Sequence, residues 1–326
     1  MYKKIKESIE NDLALLEIEL NKLLRSDVHL LDIVLKYINN NSGKRLRPVV
    51  MLLVSNLFGR NEALQHKLID YAAGIEVLHQ ATLVHDDVVD DSKERRGKPS
   101  INSLWDNKIS VLLGDYMFAI GFSTIYKHKD FEIMDFISKA LQSMSEGELL
   151  ALELSNTLSQ TEDTYYRIIY SKTASLLETS CKIATFIYTD NLEIIDALTL
   201  YGKNIGMAFQ MRDDLFDYTE NNKLIGKPVG NDIKEHQITL PLIYALNNSS
   251  VTERERILSI LKLAIISDAQ IKDIISFTKS MGGIEYTEEK AKKFINSAIK
   301  YLDIFPDSDA KEKLFNFAHY MINRNK

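Results

Sequence analysis

Only five prolines interrupt the 326 residues, and between them apolar side chains recur every three to four positions. Runs such as "LALLEIELNKLL", "IDYAAGIEVLHQATLV" and "TYYRIIYSKTASLLETSCKIATFIY" follow the 3.6-residue period of a helix. Alternating apolar and polar runs bounded by hairpin turns are scarce, so the period of a strand loses to that of a helix. The pattern predicts an all-α chain of about a dozen helices, forming one domain over residues 1–326. Helix punctuation is visible as well. Thr161 precedes "EDTYY" as an N-cap with acidic residues in the first turn, and "NLEIIDALTLYG" is expected to close on Gly202. The helices around residues 70–90 and 200–217 are apolar over much of their circumference, which places them in the centre of a helical bundle. No short repeat, low-complexity tract or long Gly/Ser linker breaks the chain.

Composition narrows the classes of function. The chain is 45% hydrophobic and 26% charged, enough apolar material for a sizeable core. Its formal net charge of -6 gives no overall basic field, which disfavours nucleic acid as a partner. The single cysteine, Cys181, has no internal partner for a disulfide; it reads as a small buried hydrophobe in a reducing compartment. The N-terminus, "MYKKIKESIENDLALLEIEL", is an amphipathic helical pattern and lacks the apolar segment of a signal peptide. No transmembrane segment is expected, because no stretch approaches the ~18 apolar residues that would span a bilayer. A cytoplasmic location follows as the expectation.

Two acidic clusters stand out against this background. In "HDDVVDD", Asp86 and Asp90 are four apart, so a helix sets both carboxylates on one face, with Asp87 beside them. "GMAFQMRDDLFDYTE" repeats the D-D-x-x-D spacing with Asp213, Asp214 and Asp217. Both lie near the C-terminal end of an apolar helix, where the helix dipole disfavours negative charge. Such clusters destabilise themselves unless cations bind there. Hard oxygen donors suit Mg²⁺, which shares its shell with substrate phosphates, and no His/Cys set has zinc spacing.

Magnesium held by carboxylates usually carries a polyphosphate on its other side, and phosphate-binding cations are present. "GKRLRP" holds Lys44, Arg45 and Arg47 ahead of a helix begun by Pro48, and "ERRGKP" holds Arg95 and Arg96. Lys172 with Thr173 follows in "YSKTASLL", and Lys227 in "IGKPVGND". Arginine binds phosphate oxygens bidentately, while lysine acts as a mobile point charge. "GKRLRP" is not a Walker A loop, since it lacks the earlier glycine and the hydroxyl residue after the lysine.

These motifs, together with "EVLHQATLVHDDVVDD", "LLGDYMFA", "MSEGELL" and "GKPVGNDIKEHQITLPLIYAL", resemble the trans-isoprenyl diphosphate synthases of the polyprenyl synthetase family, in the family's order over roughly residues 40 to 247. The resemblance implies a single-domain helical bundle around a deep central cavity, the isoprenoid synthase fold. It also implies condensation of isopentenyl diphosphate with an allylic diphosphate, with Mg²⁺ (three ions once substrate is bound) stabilising the diphosphate leaving group. By the same likeness, Asp86, Asp90 and Asp213 ligate the metal, while Asp87, Asp214 and Asp217 act from behind them or through water. Lys44, Arg47, His79 and Arg96 take isopentenyl diphosphate. Arg95, Lys172 and Lys227 hold the allylic diphosphate, with Thr173 and Gln210 lining the reaction centre. Two departures stand out: Ala151 replaces a glutamine common after the G-E pair, and His236 with Gln237 replaces the usual residues before "TLP".

The residues four and five before Asp86 are Thr82 and Ala81, facing one turn deeper on the helix. Short-chain members place an aromatic floor there. Alanine and threonine predict a longer product, of the heptaprenyl or octaprenyl kind used for quinone side chains, with Phe118, Phe122 and Phe136 as candidates for a deeper floor. The resemblance implies a homodimer. A catalytic subunit needing a second chain stays open, as does transient membrane association for product release. A class I terpene cyclase fits less well, because it normally lacks the "GKRLRP" site with His79 and the second D-D-x-x-D.

Overall fold

The computed structural model describes residues 2–219 and 229–323, apart from the side chain of Asn156. Seventeen α-helices occur among the described residues, more than the expected dozen because short turns such as Ile101–Trp105 and Asn231–Lys234 count separately. One helix runs unbroken from Leu192 to Phe216, so Gly202 does not end it. The ~1 kcal/mol helix penalty of glycine is outweighed here by the burial of its neighbours Tyr201 and Ile205. Thr161 does cap its helix: its hydroxyl accepts from the backbone N–H of Thr164. The only strands among the described residues are Glu94–Arg95 and Lys98–Pro99, an antiparallel pair.

Two compact units divide the chain. The first comprises residues 1–138, 179–199 and 304–317; the second comprises 139–178, 200–303 and 318–326. In the first unit, the helix Leu46–Ser55 is buried from Pro48 onward. The helix Glu62–Val89 packs antiparallel against Asn107–Tyr126, and glycines set the closeness of that contact. A β-carbon on Gly74 would lie 2.7 Å from Ile125, one on Gly121 2.6 Å from Leu78, and one on Gly114 2.1 Å from the His85 ring. The helix Asn107–Tyr126 corrects one expectation from the sequence, because it is long and apolar enough by composition to cross a membrane. Its apolar character has a partner in this unit: Leu113, Met117 and Ile125 are buried. Cys181 is fully buried, as its sequence context suggests.

In the second unit a core of Tyr165, Met207, Met211, Tyr218, Ile243 and Ile274 joins the helices Glu162–Ile169, Leu192–Phe216, Leu240–Asn248 and Asp268–Ser280. The helix Gly283–Lys300 approaches Leu240–Asn248 so closely that a β-carbon on Gly283 would sit 2.2 Å from the Pro241 carbonyl.

Gly121→Ala is expected to destabilise the chain despite its better helix propensity. The new methyl meets Leu78 and the Gly74 carbonyl, and overpacking of this kind costs about 1–3 kcal/mol. A urea midpoint equal to or above that of the parent would show that the two helices separate freely.

Candidate active site

The first unit assembles a cation cluster from three segments. The N-cap of the helix Leu46–Ser55 is Arg45, held at φ 58° in the left-handed region. Its guanidinium is buried and donates to Glu76 at 3.1 Å, Glu17 at 3.2 Å and Asn39 at 2.9 Å. That anchoring fixes the turn, so the flanking Lys44 and Arg47 are carried on a rigid start of helix. Pro48 is tolerated in that first turn because its missing N–H would have no intrahelical partner.

Arg95 and Arg96 sit on the two-stranded hairpin. Its two-residue turn, Arg96–Gly97, has positive φ at both residues, 56° and 72°. This is the conformation that matches the twist of the flanking strands. Arg96 donates to the Asn41 carbonyl at 3.2 Å, and its guanidinium lies over Gly43, where a β-carbon would be 2.5 Å away. Arg95 directs Nε and Nη2 to one oxygen of Asp87, both at 2.7 Å.

His79, half-buried one turn after Glu76, is surrounded by this charge. Burial, then the charges of Arg47, Arg96, Arg95 and Arg45, hold its imidazole well below the usual histidine range. Burial also lowers Arg47 to about 10, an effect that the Glu76 carboxylate opposes and Arg96 reinforces. Arg96 is lowered by the same causes. Two buried nitrogens in the cluster, Nε of Arg47 and Nδ1 of His79, have no hydrogen-bond partner. Four neighbouring cationic groups with orphaned donors make a preformed receptor for a multiply charged anion.

The first acidic motif ends the helix Glu62–Val89, and its aspartates divide by environment. Asp87 is buried and committed to Arg95, while its own carbonyl accepts from Asn102 at 3.1 Å. Asp86 is half-buried and Asp90 exposed. His85 fixes the helix end: its Nε2 bonds the Val111 carbonyl at 3.1 Å, and its ring lies 5.7 Å from that of Phe118. Phe118 is thereby a packing partner of the motif. Phe136 stacks edge-on against Phe186 with Lys182 above its ring, and Phe122 is half-buried. Of the two residues beneath the motif, Ala81 has no accessible surface, whereas Thr82 is half-buried with its hydroxyl on the His79 carbonyl.

The second unit holds the second motif at the end of Leu192–Phe216. A single π-turn, Tyr170–Ala174, interrupts the neighbouring helices and carries Lys172 and Thr173; such turns often mark functional positions. Two glycines let it pack closely. A β-carbon on Gly147 would lie 2.4 Å from Ser171, and one on Gly206 2.6 Å from Ala174. Lys172 bonds both oxygens of Glu148, at 3.0 and 2.9 Å. Thr173 donates to Gln210 at 2.7 Å, Gln210 donates to Asp214 at 2.8 Å, and Tyr165 donates to the other Asp214 oxygen at 2.6 Å. Burial pushes Asp214 up to about 6 against the pull of those two donors.

Asp217 has a different task. It accepts backbone N–H groups from Gly230, Asn231 and Asp232 at 3.1, 2.9 and 3.0 Å, tying down the chain where it re-enters the described residues. Gly230 is needed there: its φ is 84°, and a β-carbon would meet Ile271 at 2.1 Å. Asp213, half-buried, is the least enclosed aspartate of this motif. Of the two departures from the family pattern, His236 bonds the Leu261 carbonyl at 3.0 Å, while Ala151 lies half-buried on the helix that carries Glu148. Lys227 lies outside the described residues. Sequence reasoning missed Glu76, Glu148 and Tyr165. Only Glu148 carried a signal, as the acid of the G-E pair.

The donor set suits a hard divalent cation. The motif aspartates offer oxygen alone, and among the described residues no group of three His, Cys, Asp or Glu side chains could hold an ion unaided. A metal here would complete its shell with ligand oxygens and water, as Mg²⁺ does.

Comparison with known proteins agrees. The polyprenyl synthetase family model matches residues 28–278. The chain is 33% identical to an octaprenyl diphosphate synthase of Escherichia coli over 323 residues, covering 99% of each. It is 32% identical to heptaprenyl diphosphate synthase component 2 of Bacillus subtilis, covering 97% of this chain and 89% of that one. A crystal structure of a Caulobacter crescentus polyprenyl synthase, complexed with calcium and isoprenyl diphosphate, superposes with a TM-score of 0.91 at 30% identity, covering 99% of this chain and 98% of that one. The chain belongs to the polyprenyl synthetase family and is a prenyltransferase with the isoprenoid synthase fold.

The lowered pKa of His79 gives a signed prediction. The folded state disfavours its protonation, so the unfolded chain binds the proton first as pH falls. Stability from this residue is present above the unfolded pKa of ~6.5 and is lost below it, by up to ~1.4 kcal/mol per pH unit. His79→Gln should flatten urea-derived stability between about pH 6.5 and 5. Parallel curves for variant and parent would place the imidazole in a solvated environment.

Proposed function

We propose that the chain condenses isopentenyl diphosphate with a farnesyl or geranylgeranyl type of allylic diphosphate to give a long-chain all-trans polyprenyl diphosphate. One observation carries the proposal: Arg47 and His79, beside the exposed Arg96, keep buried nitrogens without a hydrogen-bond partner, suited to a diphosphate. Lys44 joins that cluster as the mobile cation. Asp86 and Asp90 in the first unit and Asp213 in the second are the metal ligands, with Asp87, Asp214 and Asp217 holding the helix ends that present them. Arg95, Lys172 and Lys227 take the allylic diphosphate, and Thr173 with Gln210 orients its reacting end.

When bound, Mg²⁺ stabilises charge on the departing diphosphate. The chain's own residues bind both head groups, keep them apart and exclude water around the reacting carbons. The allylic C–O bond breaks, the isopentenyl double bond closes the new C–C bond, and the proton lost from the adjacent carbon passes to the released diphosphate. No protein nucleophile is required. We further propose one functional domain over residues 1–326, a cytoplasmic homodimer, quinone side chains as the product's destination, and transient membrane contact for product release. The likeness to a protein named as component 2 favours a second reading, in which this chain is the catalytic half of a heteromer. The cation cluster disfavours a terpene cyclase, which uses one diphosphate.

Purified protein with Mg²⁺, labelled isopentenyl diphosphate and farnesyl diphosphate should give a discrete long polyprenyl diphosphate. No elongation by folded protein alone would favour the heteromer, and cyclised hydrocarbon would overturn the proposal. Thr82 is the partly exposed residue beneath the metal motif, whereas Ala81 is enclosed. Thr82→Phe should therefore shorten the product by several isoprene units. An unchanged length distribution would remove this helix face from chain-length control.

A further inference from the structure

A cavity opens in the first unit between the helix His29–Asn40, the helix Glu62–Val89 and the two-stranded hairpin. It encloses about 480 Å³, mouth included. Gln80, Val84 and Asp87 line it from one side of the long helix. That side lies about 100° round the helix axis from His79 and Asp86, the residues assigned to substrate and metal. Lys44, Arg47 and His79 do not line the cavity, so it is distinct from the centre of the cation cluster.

Its lining is layered. The floor, formed by Gln80, Val84, Asp87, Ser100 and Ile101, is buried. Tyr37, Ile38 and Leu83 make half-buried walls, and Arg96 and Lys98 stand exposed at the mouth. These parts are held in place by contacts of their own. Tyr37 donates its hydroxyl to the Pro99 carbonyl at 2.8 Å, and its ring meets that of Trp105 edge-on at 5.3 Å. Asn41 accepts Arg96 on its carbonyl at 3.2 Å and Lys98 on its side-chain oxygen.

Two features point to a ligand. Gln80 is 4% exposed and spends its amide nitrogen on Glu76 at 3.4 Å, which leaves its Oε1 buried without a donor. A buried acceptor in that state has lost water and gained nothing in return. The charges are unbalanced as well: Arg95, Arg96 and Lys98 line the cavity against the single carboxylate of Asp87. A phosphate monoester, close to a dianion at neutral pH, answers that excess. An apolar body beneath it would lie against Ile38, Leu83 and Val84. A plain prenyl tail would leave Gln80 unsatisfied, whereas a body ending in N–H or O–H would not.

We propose that this cavity is a ligand site for a small phosphate monoester whose largely apolar body ends in a hydrogen-bond donor. The phosphate pairs with Arg96 and Lys98 at the mouth, and the donor reaches the Gln80 oxygen on the floor.

The test uses two probes that differ by one hydroxyl, 4-hydroxyphenyl phosphate and phenyl phosphate, titrated into the full chain by calorimetry without metal. The parent should bind the hydroxylated probe about 3- to 10-fold more tightly, the worth of one hydrogen bond to a buried acceptor. Gln80→Met should abolish that preference and leave phenyl phosphate binding within about twofold of the parent. Equal affinities in the parent would mean that water satisfies Gln80, and would overturn the proposal, as would no binding of either probe. Location is tested by Ile38→Trp, which fills the cavity. It should weaken both probes at least about tenfold while isopentenyl diphosphate binds within about threefold of the parent. Probes that still bind this variant sit elsewhere, in the substrate cluster, which also overturns the proposal. Should either buried variant not fold, Lys98→Glu at the exposed mouth should weaken both probes at least about tenfold, and unchanged binding there would remove the phosphate from this site.

Discussion

The buried ion pair between Arg45 and Glu76 is the constraint on which the cation cluster of the first unit depends. Burying two charges is costly, and their attraction repays the cost only when the remaining donors are also satisfied. Here they are: Arg45 finds Glu17 and Asn39 as well, and Glu76 accepts a second bond from Gln80. The satisfied pair locks a non-glycine residue into left-handed backbone at the start of the helix Leu46–Ser55. Once that turn is fixed, the spacing of "KRLR" places Arg45 inward and leaves Lys44 exposed and Arg47 half-buried. A motif that reads as three equivalent cations is thus one structural arginine flanked by the lysine and arginine that the proposed function assigns to substrate.

The same division of labour runs through the aspartates. Six carboxylates share the D-D-x-x-D pattern, and three of them are buried among protein donors. Asp87 is held by a guanidinium, Asp214 by a phenol and an amide, and Asp217 by three backbone N–H groups. These three are the buried members, where an unpaired carboxylate would be most expensive. Asp86, Asp90 and Asp213 are less buried, and the proposed metal ligation falls to them. In that reading metal binding and helix-end anchoring are divided between neighbouring residues of one type according to burial.

How much of this was legible in the sequence follows the range of each interaction. The helices, the Thr161 cap and both acidic motifs rest on contacts within one or two turns, and periodicity exposes them. Gly202 misled, because its helix is held together by burial of Tyr201 and Ile205, which a local signal does not carry. The Arg96–Gly97 turn was hidden inside a run that reads as solvated charge, although two residues ending in glycine between short extended pairs are a hairpin signal. Glu76 and Tyr165 were invisible for a stronger reason. Each sits in an apolar helical stretch, and its role comes from partners 31 and 49 residues away.

Those long-range partners also give the cation cluster of the first unit and the acidic motif of the second different physical characters. The cation cluster is preformed: its arginines are held by Asn41, Asp87, Glu17 and Glu76 before any anion arrives, so little reorganisation is left for binding. The second acidic motif is instead poised. Burial pushes Asp214 up to about 6, close to the pH at which cells work, against Tyr165, Gln210 and the charge of Lys172. A divalent cation on Asp213, one residue away, would favour the ionised form of Asp214 and strengthen its hold on Gln210 and Tyr165. Gln210 in turn receives the Thr173 hydroxyl, next to Lys172 on the π-turn. Charge added at the end of one helix is thereby felt at the tip of another through two hydrogen bonds. That coupling suits an enzyme that must order its allylic diphosphate and metal together before the carbon–oxygen bond breaks.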